Sequence, residues 1–244
     1  MPEQLELTRF LNHLFGGLFA AILNLVGIHA KPETAINDAF ALQLVVVVVL
    51  IIFFLIVRMT LSVEKPGPVQ HIAELIHEAI GDQAEQVIGH GYRQFQAYVT
   101  CIFLFVLLNN LLGLIPRVPA PTSSIMVTLG IAVPTFFYYN FHGLREQGFV
   151  GYIKHLAGPV WWMAWLIFPI EVVSHLARIM SLSVRLYANM FAGDLVTLVF
   201  FSLIPVGIPV IFLGLHLFVS LIQAFVFMLL TMIYLSLAVS HESH

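Results

Sequence analysis

The chain has 244 residues, of which 60% are hydrophobic and only 9% are charged. Soluble domains carry roughly 25% charged residues, so a soluble protein of this size is excluded. We therefore predict an all-α integral membrane protein. The net charge of −3 leaves no basic face for nucleic acid, and the single cysteine, Cys101, excludes an intrachain disulfide and a cysteine-built metal site.

The N-terminal segment, residues 1–39, is expected to lie at the membrane surface. Residues Phe10–Ile28 are apolar but are interrupted by asparagine and histidine. That composition favours a helix that is shallowly inserted in the interface. A true membrane span is the alternative.

Three apolar segments of membrane-spanning length follow, at residues 40–58, 95–115 and 124–141. About 18–20 apolar residues cross a bilayer as a helix. The first segment is rich in valine and isoleucine, which is compatible with a helix in lipid because the backbone must satisfy its own hydrogen bonds there. The string HGLREQG is expected to close the third span.

Residues 64–94 separate the first two spans and have a different pattern. Apolar residues recur there at steps of three and four, and polar residues fill the other side. This pattern predicts an amphipathic helix over Val69–Gln94, lying on the membrane or against a partner, with its charges on a solvated face. The apolar positions are Val69, Ile72, Ile76, Ala79 and Ile80.

Two apolar runs at the end of the chain, residues 160–203 and 208–239, are longer than a span requires. At about 1.5 Å per residue, the first run would be roughly twice as long as the bilayer core is thick. Each run is therefore either two short spans or one helix tilted well beyond the usual angle of about 20°. The runs contain no charged loops, which favours two long tilted helices that form a hairpin. The total is then about five spans.

Lysine and arginine are unevenly distributed between the two sides of this topology. The richer side is expected to be cytoplasmic, which places the N-terminus outside and the C-terminus inside. The inner set is Arg58, Lys65, Arg93, Arg145 and Lys154, and the outer set is Arg9, Lys31 and Arg117.

Arg185 is the most informative residue, because it lies deep inside an apolar run, in the string SLSVRLYANMFAGD. A guanidinium stays charged at any accessible pH, and burying it at bilayer depth costs at least about 2.5–3.5 kcal/mol. Such a residue usually faces a wet cavity or a carboxylate and marks an ion pathway. On a helical wheel it belongs to one polar stripe, within about 40° on either side. The stripe consists of Glu171, Ser174, Arg178, Ser181, Arg185 and Asn189.

Simpler explanations stay open for these residues. Glu171 and Arg178 fit charges at the end of a span that reach the headgroups. Arg185 fits a structural ion pair with a carboxylate of this chain.

Asp194 lies about 180° from Arg185 on the wheel and is therefore expected to face the neighbouring helix. His216 heads a second polar stripe on that helix. An aspartate and a histidine on facing helices can pass protons, although His216 alone also fits a structural histidine. Gly193 and Gly214 would permit close helix packing. The second stripe consists of His216, Ser220, Gln223 and Tyr234.

The string SLSVRLYANMFAGD, followed by HLFVSLIQAFVFMLLTMIYLSLA, closely resembles subunit a of the F-type ATP synthase. The strings NNLLGLIP and PAPTSSIMVT are similar to the middle region of that subunit. The resemblance implies a proton-translocating stator subunit in the bacterial inner membrane, without cofactor, metal or catalytic centre. The implied partners are a ring of small carboxylate-bearing hairpins (the c-ring), the b subunits of the peripheral stalk, lipids and protons.

The resemblance also implies roles for individual residues. Arg185 would be the essential arginine that makes the ring carboxylate release its proton and that blocks a direct leak between two half-channels. The half-channel open to the outside would contain Asn189, Asp194, His216 and Gln223. Asn110 would match a polar position in an earlier span. The half-channel open to the cytoplasm would contain Glu171, Ser181 and Arg178.

Two other functions are compatible with the composition. An independent secondary transporter would more often show an internal repeat with paired broken helices, and the sequence contains no such repeat. A membrane scaffold would have no use for a cation at the position of Arg185.

Overall fold

The structure is a computed structural model that describes residues 5–25, 31–32, 34–62, 67–89, 91–115, 118–157, 164–203 and 207–239. Within these ranges the chain forms seven α-helices, one short 3-10 turn and no strand, which confirms the all-α class. The helices are α1 (Glu6–Leu25), α2 (Asp38–Thr60), α3 (Pro68–Ile88), α4 (Arg93–Leu112), α5 (Ile125–Ala157), α6 (Ala164–Leu203) and α7 (Ile208–Val239), and the turn is Pro121–Ser123. The expectations for residues 26–28 and 160–163, and for Lys65 and Arg117, fall outside the described residues.

Four helices in the described ranges are long and apolar enough to cross a membrane, namely α2, α4, Trp165–Leu203 of α6 and Pro209–Val239 of α7. Helix α5, which contains the expected third span, is not among the four. It nevertheless belongs to the same bundle, because it packs against α6 more extensively than any other pair of described elements does. The fold is that of an integral membrane protein with a lipid-facing exterior.

Each long apolar run in the described part of the chain forms one continuous helix. Helix α6 has 40 residues and α7 has 32, so α6 is about 60 Å long. Pro169 interrupts neither the apolar run nor the helix, since it lies only five residues after the first residue of α6. The division of each run into two short spans is therefore excluded.

The exposed side chains of α2 are largely apolar, as lipid contact requires. On α2, Val48, Ile51 and Leu55 are each about half exposed. Two buried clusters lie inside the bundle. The first joins α4, α5, α6 and α7 through Val106, Ile131, Leu186, Met190 and Ala224, and the second joins α3, α4, α5 and α7 through Ile80, Phe95, Tyr139, Met228 and Met232.

Two helix ends differ from the sequence-based prediction. Helix α3 ends at Ile88 rather than continuing to Gln94, because Gly89 and Gly91 adopt positive φ angles of 78° and 93°, which glycine tolerates and other residues rarely do. Helix α5 does not stop at residue 141 but continues to the end of HGLREQG, where Gly148 breaks it, as that string was expected to do; a further helical segment then reaches Ala157. Its only non-helical residue is Gly148, with a φ angle of 71°.

Helix α1 is attached to the segment before α2. The Asn12 side chain forms two hydrogen bonds with the backbone of Ile36, donating through Nδ2 to the carbonyl at 3.1 Å and accepting from the amide at 2.9 Å. The opposite side of α1 exposes Phe10, Leu14 and Leu18. An amphipathic helix attached on one side and apolar on the other is typical of a segment lying in the membrane interface.

Candidate functional site

Arg185 lies on the outer surface of α6, where its side chain is exposed. Its Nη2 is 3.4 Å from Oγ of Ser181, one turn earlier. No carboxylate of the described residues forms an ion pair with it, although two arginine–carboxylate pairs and three histidine–carboxylate contacts are present there. A structural ion pair within the described residues therefore does not explain why Arg185 lies inside an apolar run. Asn189, half-buried, follows one turn later on the same stripe.

Asp194 and His216 face each other across the α6–α7 contact. Nε2 of His216 is 3.8 Å from Oδ1 of Asp194, and the His216 side chain is almost fully buried. Nε2 has no hydrogen-bond partner in the described structure. The other carboxylate oxygen, Oδ2, accepts a hydrogen bond of 3.2 Å from the backbone amide of Ala120. Asp194 is thus held on one side by backbone and faces an unpartnered imidazole nitrogen on the other.

Two glycines make room for the His216 imidazole. A Cβ atom at Gly193 would lie 3.0 Å from Cε1 of His216 and closer still to Nδ1, and a Cβ atom at Gly113 would lie 3.2 Å from Nε2. Gly193 therefore permits close approach of α6 and α7, as expected. The same expectation is wrong for Gly214, because a Cβ atom there would meet nothing within 4 Å.

Asn110 connects α4 to α7 and to the turn at Pro121–Ser123. Its side chain is fully buried. Its Oδ1 accepts a hydrogen bond of 2.7 Å from Oγ1 of Thr122, and its Nδ2 donates to the carbonyl of Ser220 at 3.3 Å. Ser220 follows His216 by one turn, and Gln223 follows by another, half-buried on the same helix. Asn110 and Ser220 therefore connect α4 to α7 one turn away from His216, which faces Asp194.

A second polar cluster lies near the start of α6. Oε1 of Glu171 is 3.5 Å from Nη2 of Arg178 and 3.7 Å from Nε2 of His175. Nδ1 of His175 is 3.3 Å from the Tyr139 hydroxyl on α5. The Arg178 guanidinium carbon lies 5.7 Å from the centre of the Tyr234 ring on α7. Glu171 and Arg178 thus form an ion pair with each other, and three helices contribute to the cluster.

Sequence reasoning missed His175 and Tyr139. His175 could have been found from its spacing, since it is four residues after Glu171 and residues i and i+4 are neighbours on a helix. It was missed because it lies about 80° from Arg185 on the wheel, outside the polar stripe. Tyr139 is on a different helix, and its position beside His175 follows from α5–α6 packing alone.

The predicted site residues therefore separate into two groups along α6. Glu171 and Asp194 are 23 positions apart, which is about 35 Å along a helix and close to the bilayer core thickness of about 30 Å. Arg185 lies between them, about 14 Å from the level of Asp194 and about 21 Å from that of Glu171. The structure brings Asp194 to His216 and Glu171 to Arg178 and keeps these two pairs apart, whereas Ser181 contacts Arg185.

This fold and this site define a multi-spanning membrane protein in which two ionisable clusters lie at the two ends of a long helix, with a cation exposed between them. Comparison with known proteins agrees with that class and identifies the family within it. Residues 40–236 match the family model described as ATP synthase A chain.

Three relatives illustrate the match. ATP synthase subunit a of Koribacter versatilis is 49% identical over 242 residues, 99% of each chain. That of Solibacter usitatus is 43% identical over 233 residues, covering 96% of this chain and 99% of the relative. That of Bdellovibrio bacteriovorus is 44% identical over 172 residues, covering 70% and 75%.

The chain belongs to the ATP synthase subunit a family. It is accordingly a multi-pass bacterial membrane protein that takes part in ATP synthesis and proton transport as one component of a larger complex.

Proposed function

We propose that the chain is the proton-translocating stator subunit of a rotary F-type ATP synthase, with no catalytic site of its own. The observation that carries this proposal is the position of Arg185, exposed on α6 without a carboxylate from the described residues. A permanent cation in a span needs an anion or water. A carboxylate carried by a neighbouring c-ring meets that need.

The chemistry of the ring carboxylate explains why one cation is sufficient. In lipid the carboxylate has to be neutral, because an isolated buried charge is prohibitively costly. Beside Arg185 the ionised form is favoured, so the group releases its proton there. Ring carboxylates cannot pass Arg185 while they keep a proton, and the arginine thereby also separates the two proton paths.

Each cluster then serves one side of the membrane. The Asp194–His216 pair, with Asn110, Asn189 and Gln223, forms the half-channel open to the outside. The Glu171–Arg178 pair, with Ser181, forms the half-channel open to the cytoplasm. This assignment follows the orientation in which the N-terminus is outside and the C-terminus is in the cytoplasm of a bacterial inner membrane. A membrane potential contributes about 2.3 kcal/mol per charge per 100 mV, and the offset of the two paths converts it into rotation in one direction.

The test is Arg185→Ala in the assembled synthase, with the b subunits and the c-ring present. ATP synthesis and ATP-driven proton pumping in membrane vesicles are expected to be abolished, while the amount of assembled complex is unchanged. Arg93→Ala is the matched control, since Arg93 is also exposed but begins α4 outside both clusters. Normal pumping by the Arg185→Ala complex would refute the proposal.

A further inference from the structure

At residues 120–123, the described part of the connection before α5 enters the bundle instead of running over its surface. Its 3-10 turn, Pro121–Ser123, follows Ala120, and we name these four positions the buried turn (residues 120–123). Ala120, Pro121 and Thr122 are all buried. Connecting segments usually lie on the surface because buried backbone polar groups need partners. The polar groups of the buried turn therefore need hydrogen-bond partners inside the protein.

The buried turn contacts two groups of the outer half-channel. The Ala120 amide donates to Oδ2 of Asp194 at 3.2 Å. Two residues later, the Thr122 hydroxyl donates to Oδ1 of Asn110 at 2.7 Å. Because Asn110 also donates to the Ser220 carbonyl on α7, one short turn joins the Asp194 carboxylate on α6 to α4 and α7.

The Thr122 hydroxyl also determines how the Asn110 amide is oriented. A threonine hydroxyl has one proton to donate, and here it is directed at the carbonyl oxygen of the amide. That contact leaves the amide nitrogen to donate to Ser220. Without the hydroxyl, the buried carbonyl oxygen of Asn110 would lose its partner, and a buried acceptor without a partner is costly.

We propose that Thr122 is a positioning residue of the outer proton path. It holds the buried turn against Asn110, and the turn in turn holds the Asp194 carboxylate through the Ala120 amide so that Oδ1 faces His216. This inference rests on the proposed function, because it assigns Thr122 to a path that the proposed function requires. Thr122 acts through the buried turn and Asn110 and does not itself transfer the proton.

The experiment compares Thr122→Val with Thr122→Ser in the full synthase. Valine keeps the shape and removes the hydroxyl, whereas serine keeps the hydroxyl. Passive proton conductance of vesicles stripped of the catalytic sector, normalised to the amount of assembled membrane complex, is expected to fall about 3- to 10-fold for valine and to remain within about twofold for serine. Thr231→Val is the matched control, since Thr231 is equally buried but its hydroxyl bonds only to the Phe227 carbonyl of its own helix.

A double-variant measurement separates positioning from a general structural role. If Thr122 acts through Asn110, adding Thr122→Val to Asn110→Val will lower the conductance no further than Asn110→Val alone, whereas independent effects would multiply. Multiplied losses would overturn the proposal. Unchanged conductance in Thr122→Val, or equal losses in Thr122→Val and Thr122→Ser, would also overturn it.

Two further outcomes are decisive. If neither Thr122→Val nor Thr122→Ala assembles, Thr122 has a purely structural role and the proposal fails. Arg185→Ala is measured alongside by ATP-driven pumping, to keep the two hypotheses separate. Normal pumping in Arg185→Ala refutes the proposed function, whereas loss of pumping there together with normal conductance in Thr122→Val refutes only the positioning role.

Discussion

Nε2 of His216 faces Oδ1 of Asp194 across the α6–α7 contact at 3.8 Å, and Nε2 has no hydrogen-bond partner in the described structure. A charge-assisted hydrogen bond between these groups would be about 2.7–2.9 Å long. The pair is therefore close enough to exchange a proton after a small movement, and it is not locked as a permanent ion pair. That arrangement suits a relay, in which each group must both accept and release a proton.

Removing either member of this pair should slow proton flow. His216→Ala and Asp194→Ala are each expected to lower passive proton conductance by about 10-fold, which corresponds to roughly 1.4 kcal/mol in the barrier. The measurement is proton uptake by vesicles under an imposed potential. His77→Ala is the control, since the exposed His77 side chain on α3 lies far along the chain from both clusters. Unchanged conductance in both variants would remove Asp194 and His216 from the pathway.

Crowding His216 should have an effect similar to removing it. In Gly193→Ala the added methyl group would meet the imidazole at Nδ1 and Cε1, so the ring must turn away from Asp194 or the helices must separate. We expect the proton conductance to fall several-fold and the free energy of unfolding to fall by about 1–3 kcal/mol.

Gly214→Ala is the matched control for that substitution, because open space surrounds Gly214. Alanine is favoured over glycine within a helix by roughly 0.8–1.0 kcal/mol, so this variant should be neutral or slightly stabilising. Equal effects of the two substitutions on conductance would contradict the close-packing explanation.

Charge alone should not replace the guanidinium at position 185. Arg185→Lys keeps the positive charge but replaces the flat guanidinium with a compact ammonium that can lose its proton when it is desolvated. ATP-driven pumping is expected to remain below about a tenth of the wild-type rate. Lysine lacks the permanent charge of arginine and cannot donate two parallel hydrogen bonds to one carboxylate. Recovery of wild-type pumping would show that any cation on this face of α6 is sufficient.

The cluster of Glu171, His175 and Arg178 should affect proton passage on the cytoplasmic side of the membrane. Glu171→Gln keeps the shape but removes the charge that lies 3.5 Å from Arg178 and 3.7 Å from His175. We expect pumping to fall about 3- to 10-fold, since the variant leaves a partly buried guanidinium without its carboxylate. Glu78→Gln in α3 removes an exposed charge and is expected to pump normally. A Glu171→Gln complex that pumps at the control rate would exclude Glu171 from the path.

The attachment of α1 can be tested without reference to proton flow. Asn12→Ala removes both hydrogen bonds to the Ile36 backbone, and the two buried groups left behind cost roughly 1–3 kcal/mol each. Limited proteolysis and hydrogen exchange should show α1 opening in Asn12→Ala but not in His13→Ala, which changes an exposed neighbour. Equal protection of α1 in both variants would mean that other contacts hold it.

Much of the architecture follows from local patterns in the sequence. The apolar runs at 160–203 and 208–239 predict two long helices, and the described parts of both runs are single helices. The polar stripe on α6 is a consequence of helical periodicity, so Glu171 and Arg178 could be placed on one face before their ion pair was seen. The permanent charge of Arg185 is a property of its side chain. These features depend on residues within a few turns of each other, which is why the sequence by itself determined them.

Other features were decided only by the tertiary structure, because they depend on contacts between distant segments. The pairing of Gly193 with His216, the open space around Gly214 and the position of Tyr139 beside His175 depend on how the helices are aligned, and helical periodicity does not determine that alignment. In the sequence, the buried turn (residues 120–123) lies in the connection between two predicted spans and carries no sign of burial. It enters the bundle because its backbone and Thr122 find polar partners on α6 and α4, and only packing of the whole chain brings those partners together.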